Sequence, residues 1–230
     1  RMGGQYFQWS PDSRWLLFDY SIPGFAPGEV GLVRADGSGE VLNLTKSGFR
    51  DYRGQWVMDG KAMIWFSNRD GLKSAAQSGQ TESDVYAMFF TQDAWDRFRL
   101  DEDAYNLLKE MEEENKPEAD SARADTAEAG EVEVVEMELD GAELRMARLT
   151  IHSSSMGDAL LSQDEGTLYY LARFERGYNL WSTELRTRET RMVATLNAGR
   201  ANMTWDKEKK KIFLLSNGRI STLEPSSGDR

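Results

Sequence analysis

His152 is the only histidine in 230 residues, and the chain has no cysteine. Those two counts bound the chemistry before any fold is considered. Without a thiol there is no cysteine nucleophile, no thiolate metal site and no disulfide framework. A serine-hydrolase triad needs an imidazole base, so His152, beside Ser153, Ser154 and Ser155, is the sole candidate. It falls in a polar stretch between two apolar segments, where a solvated loop residue is the expected role. Asp12, Asp59 and Asp164 suggest metal ligation, but they recur at one position of separate repeats. Such residues are expected to lie apart and to shape turns. The acidic stretch from Glu112 to Glu138 lacks the glycine-kinked ligand spacing of a calcium loop and reads as a flexible spacer. No catalytic residue, no metal ligand and no cofactor are therefore expected.

Charge narrows the partners. The formal net charge is −11, and residues 112 to 138 hold eleven acids against two bases. Most of the acidity thus belongs to one solvated segment rather than to a binding face. No concentrated basic patch is present, so nucleic acid is not an expected partner. No apolar run of about 18 residues occurs, so no membrane-spanning helix is expected. The opening residues RMGGQYFQWS carry no apolar signal region.

An internal repeat supplies the elements. WSPDSRWLLF from Trp9, WVMDGKAMIW from Trp56, LSQDEGTLYY from Leu161 and WDKEKKKIFL from Trp205 align without gaps. Each opens on a large apolar residue, passes through a polar turn and continues into an apolar run. Asp12, Asp59 and Asp164 share a column that Glu208 takes in the fourth copy, and Gly60 and Gly166 are placed for positive φ. Trp15–Phe18, Met63–Phe66, Leu168–Leu171 and Ile212–Leu215 read as buried central strands. A second column repeats the pattern: Asp36-Gly37 and Asp140-Gly141 precede strands ending in Leu44-Thr45 and Leu149-Thr150. Thr45 lies eleven positions before Trp56, and Thr150 eleven before Leu161. Short strands in units of roughly 45 residues predict an all-β fold of four-stranded antiparallel β-propeller blades.

The expected units are a blade over 1–45, a blade over 46–150, a blade over 151–197 and a partial blade over 198–230. The second unit carries an insertion at about 92–131. In it Trp95, Phe98, Tyr105, Leu108 and Met111 recur at helical spacing, and Asp101 is the expected N-cap. Glu112, Glu113 and Glu114 oppose the helix dipole, so that end is expected to fray. The blade is expected to resume as a strand over Val132–Leu139. Trp9, Trp15, Trp56, Trp65 and Trp205 are expected to pack between blades, whereas Trp95 and Phe98 anchor the insertion. Arg173, Arg176 and the stretch from Arg186 to Arg191 form a basic-leaning run suited to peptide carboxylates. The whole reads as an arc of an incomplete propeller, with open edges that further blades should cover.

The repeat WSPDSRWLLF resembles that of TolB-type and peptidase-associated propellers. SDVYAMFFTQDAWDRFRL, the acidic linker and LARFERGYNLWSTELRTRETR resemble bacterial homologues of the tricorn protease, a serine peptidase family. That resemblance covers essentially the whole chain. It implies a parent enzyme that degrades oligopeptides, with propellers preceding a PDZ domain and a catalytic region. None of that region's motifs matches a position here, so no catalytic residue carries over. The implied role is a passage or scaffold for peptides, and the implied partners are the remaining blades, the PDZ and peptidase domains, and further copies up to a hexamer. Tricorn resemblance implies cytoplasm. The alternative, a stand-alone TolB-like protein-binding module, implies periplasm. A third reading, a prolyl-oligopeptidase-type propeller, requires a G-x-S-x-G elbow that these residues lack.

Overall fold

A computed structural model describes residues 6–21, 28–73, 81–115 and 133–225. Its strands form four antiparallel sheets in chain order. The first holds β1 (Phe7–Trp9), β2 (Trp15–Ser21), β3 (Gly28–Arg34) and β4 (Leu42–Asn43). The second holds β5 (Asp51–Val57), β6 (Ala62–Ser67), β7 (Asp84–Phe89) and β8 (Met146–Arg148). The third holds β9 (Ser155–Leu161), β10 (Thr167–Arg173), β11 (Tyr178–Glu184) and β12 (Thr190–Ala198). The fourth holds β13 (Ala201–Trp205), β14 (Ile212–Ser216) and β15 (Arg219–Leu223). Each sheet is a blade, and the first strand of every blade is the one the repeat opens on.

Three apolar cores lie between neighbouring blades. Leu17, Val30 and Leu32 meet Met63, Trp65 and Met88 between blades 1 and 2. Ile64, Phe66 and Phe89 meet Leu168 and Tyr170 between blades 2 and 3. Tyr169, Leu171 and Leu180 meet Met203, Ile212 and Leu214 between blades 3 and 4. Alternate residues of β6 therefore serve two different cores, because successive strand side chains point to opposite faces.

The turn after the first strand has one backbone rule. Ser13, Gly60, Glu165 and Lys209, all four residues after the repeat's opening residue, have positive φ. Gly60 fits this expectation, but in blade 3 Glu165 takes the left-handed conformation and Gly166 does not. The acceptors also differ from the expected column. Asp12 accepts from Ser10 and Arg14, and Asp164 accepts from Ser162 and Gly166. In blade 4 the acceptor is Asp206, which binds the N–H groups of Lys210 and Lys211, while Glu208 pairs with Lys210 on the surface. A side chain two residues earlier reaches the same N–H groups, so Glu208 is not needed. Asp59 makes no such turn bond and instead pairs with Lys209 of blade 4 at 3.0 Å.

The Leu-Thr column has a structural cause. The Val30 N–H donates to Thr45 Oγ1 at 3.1 Å, and that hydroxyl donates to the buried Glu29. In blade 2 the Val85 N–H donates to Thr150 Oγ1 at 3.2 Å, and the hydroxyl donates to the buried Asp84 at 2.8 Å. One threonine thus satisfies a strand N–H and a buried carboxylate together, which unpaired would each be costly.

The insertion comprises two helices, α1 (Gln92–Phe98) and α2 (Glu102–Glu114), rather than one. Thr91, two residues beyond the end of β7, caps α1 by accepting from Ala94 N–H. Asp101 caps α2 through Ala104 N–H at 2.8 Å. Phe98 and Trp95 lie 4.6 and 5.4 Å from the Phe89 ring, anchoring α1 to blade 2. Met111 stays 52% exposed, so the stripe stops short of the helix end. Glu112 is held by a bidentate pair with Arg97, and α2 runs through Glu114.

Residues 133–139 do not form the expected strand, and Val132 lies outside the described residues. The segment bridges blades instead: the Val135 N–H donates to Asp12 at 2.9 Å, and the Glu138 N–H to Phe90 O at 2.7 Å. A Cβ on Gly60 would lie 2.5 Å from Val135 Cγ2, so a glycine is required there for space as well as for φ. After Gly141 a short helical turn, Ala142–Leu144, replaces most of the strand expected before Leu149-Thr150.

Candidate functional site

The first strands of the four blades surround a cavity of about 310 Å³. Three positions before each repeat's opening residue stand Tyr6, Arg53, Asp158 and Asn202, one from each blade. They form a continuous chain. The Arg53 guanidinium lies 5.5 Å from the Tyr6 ring centroid and pairs with Asp158 at 3.0 Å. It also donates to Gly157 O at 2.6 Å. Asp158 in turn accepts from the Asn202 side chain and from Met203 N–H. Asp19 on β2 receives the Arg53 N–H at 2.7 Å.

Local irregularity aims these groups. Both β5 and β9 carry a bulge here: Arg53 and Gly54 oppose one residue of β6, and Gly157 and Asp158 oppose one residue of β10. Arg53 has φ of 56°, an uncommon conformation for a residue with a side chain. Bulges of this kind re-aim side chains at rims and sites.

Burial sets the electrostatics. It pushes the Asp19 carboxyl up to about 6 against the opposing pull of the Arg53 and Gly54 N–H groups. It also raises Asp158, whose side chain is 7% exposed, while Arg53 opposes the shift. Tyr6 is raised by burial, with Arg53 again opposing.

Gln55 is 9% exposed, lines the cavity, and its Nε2 has no hydrogen-bond partner among the described residues. Gln8, in the same column of blade 1, accepts the Trp56 N–H at 2.6 Å and so clamps blade 2. Gln55 makes no corresponding clamp on blade 3.

The residues singled out from sequence are placed elsewhere. His152 sits exposed in the loop between β8 and β9, and no hydrogen bond joins it to a described serine or acid. Ser153 donates to Asp84 at 2.7 Å, and Ser155 contacts Tyr178 at 3.3 Å. The basic run is divided. Arg173 lies over Tyr178, Arg186 stacks on Tyr105 at 3.4 Å, and Arg188 donates to the carbonyls of Arg148 and Leu149. Trp56 and Trp205 each donate the indole N–H to the preceding blade's first strand, at Gln8 O and Leu161 O. Trp9, in their column, is 52% exposed rather than packed between blades, because no described blade precedes it. Sequence reasoning missed Tyr6, Arg53, Asp158 and Asn202. Their common offset from the opening residue was the available signal, and their dissimilar chemistry concealed it.

No family model matches the chain, and no curated protein matches it. Solved structures do. The crystal structure of the tricorn protease matches with a TM-score of 0.56 at 14% identity, over 95% of this chain and 20% of that one. A putative TolB from Agrobacterium tumefaciens matches with a TM-score of 0.59 at 14% identity, over 97% of this chain and 62% of that one. An oligogalacturonate lyase in complex with manganese matches with a TM-score of 0.53 at 12% identity, over 96% and 48%. At these identities the likeness shows a fold. This is a β-propeller arc. The chain spans about a fifth of the tricorn protease and less than two thirds of the putative TolB. Among the described residues no helix is long and apolar enough to cross a membrane.

Proposed function

We propose that the arc is a non-catalytic propeller segment of a tricorn-like serine peptidase, with the axial cavity receiving oligopeptide as a passage or scaffold. Gln55 carries the reading. A buried amide donor without a partner costs about 1–3 kcal/mol, and a peptide carbonyl satisfies it. Arg53 and Asp158 beside it supply a donor and an acceptor, matching a backbone that presents both. The partners in this reading are further blades, PDZ and peptidase regions, and other copies of the chain. A stand-alone TolB-like protein-binding module is the second reading, favoured by the likeness to the putative TolB. The two share the cavity and differ in what adjoins it, so the coding sequence beyond Arg230 separates them.

The test is calorimetric titration of an uncharged tripeptide amide, run beside a peptide-hydrolysis assay. Binding without cleavage is expected, weakened about ten-fold in Gln55→Leu. Binding indifferent to that change would overturn the site. Hydrolysis that tracks the pure protein and is lost in His152→Ala would overturn the non-catalytic assignment.

A further inference from the structure

We propose that Asp19 is the positioning residue of the axial site: from blade 1 its carboxylate holds the bulge in blade 2 that presents Arg53 and Gln55 to a bound peptide. The inference rests on the peptide-binding reading of the cavity and adds the group that sets its shape and its response to pH.

The repeat marks Asp19 as out of place. It stands ten positions after the opening Trp9, on β2. Ten positions after Trp56, Leu161 and Trp205 stand Phe66, Leu171 and Leu215, each on the central strand of its blade. Phe66 and Leu171 lie in the apolar cores between blades. In blade 1 the same column holds a carboxylate. A charge there loses hydration and costs stability, and groups kept at such a cost gather at functional sites.

What Asp19 faces is the bulge. It accepts the Arg53 N–H at 2.7 Å and the Gly54 N–H as well. These two residues fall where the β5–β6 register shifts, between Tyr52 and Gln55. Arg53 is held at φ 56°, a conformation that a residue with a side chain adopts only at a cost. Gly54 is pressed against blade 1, since a Cβ on it would lie 2.5 Å from Val30 Cγ1. Val30 is the register partner of Asp19 on β3, so one rung of blade 1 both holds and shapes the bulge. The bulge in turn brings the Arg53 guanidinium to Asp158 at 3.0 Å and Gln55 to the cavity. Arg53 and Gln55 are among the described residues that line the cavity and Asp19 is not, so it acts through them.

The clamp is sensitive to acid. Arg53 and Arg50 favour the ionised Asp19 carboxyl, and Tyr6, which also senses Asp19, stays neutral well above pH 7. Burial outweighs both arginines and brings the carboxyl up to about 6. Above that pH the ionised group receives charge-assisted hydrogen bonds, and below it the protonated group is a weaker acceptor. Affinity for an uncharged peptide should therefore fall as pH drops through about 6.

Two measurements on the whole 230-residue protein test this. In amide NMR spectra the Arg53 and Gly54 N–H resonances should shift together with a midpoint near pH 6, and that step should vanish in Asp19→Asn. The dispersion of the same spectra reports whether the variant is folded. In calorimetry the uncharged tripeptide amide should bind about five-fold more weakly at about pH 5 than at about pH 7.5. Asp19→Asn keeps an acceptor without the charge, so it should show the weaker affinity at both pH values. Only a smaller residual slope should remain, from Asp158, which burial also raises. Amides that stay fixed across this range would overturn the clamp. Amides that titrate while affinity does not change, or an Asp19→Asn protein that keeps the original pH profile, would overturn the positioning role and leave the axial reading standing. A tripeptide that fails to bind the unmodified protein at either pH would overturn the axial reading and this role with it.

Discussion

Strands β6 and β14 occupy the same place in blades 2 and 4, yet they are buried differently. Every residue of β6 is buried, with Ile64 and Phe66 facing blade 3 and Met63 and Trp65 facing blade 1. In β14 only Ile212 and Leu214 are buried, and Phe213 and Leu215 remain 41% and 46% exposed. Both runs are continuously apolar, AMIWF and IFLL. The difference teaches that an apolar run marks a strand able to serve two cores. Whether it does so depends on a blade lying on each side.

The largest expected effect breaks this comparison from the buried side. Trp65→Ala empties a fully buried site and removes the indole donor of the buried Asp51. It should cost about 3–5 kcal/mol, read as a lower urea midpoint. A loss near that of a surface change would mean that blade 2 is not held from both faces.

Thr150→Val comes next. It keeps the shape but leaves the Val85 N–H and the Asp84 carboxylate each short of a partner. About 1–3 kcal/mol should be lost in thermal unfolding at neutral pH, with Thr45→Val behaving alike in blade 1.

Burial also decides the sign of the carboxylate shifts. Asp19 is pushed up to about 6 by burial, whereas Glu224 of the open fourth blade is lowered by its pair with Lys211. A raised carboxyl keeps in the folded state a proton that the unfolded chain releases near pH 4. Stability from this group therefore falls as pH rises from about 4 to about 6. Asp19→Asn should flatten that slope in chemical denaturation at stepped pH, without abolishing it, because Asp158 is raised in the same direction. An unchanged slope would show that Asp19 ionises freely in the fold.

The smallest effect sharpens the comparison from the open side. Phe213→Ser should change stability by no more than about 0.5 kcal/mol. A large loss would show that something covers this face in solution.

Much of the fold was legible because its causes are local. Turn polarity, the Leu-Thr column and the Asp101 cap involve residues close in sequence or repeated in register. The misreadings have local causes of another kind. Asp206 replaced Glu208 because either side chain is within reach of the same turn, and residues 133–139 look strand-like yet find Asp12 and Phe90 instead of a ladder.

By itself the sequence determined the blade repeat, the place of the insertion and the absence of thiol chemistry. These follow from periodicity, turn chemistry and composition, which act over a few residues. Only the tertiary structure decided the axial chain from Tyr6 to Asn202. Arg53 and Asp158 are separated by 105 positions and meet because two bulged strands from successive blades converge. It also decided that Gln55 is left without the clamp that Gln8 makes. Identical residues at one offset diverge when the neighbouring blade presents a different face, and no local pattern records which face that is.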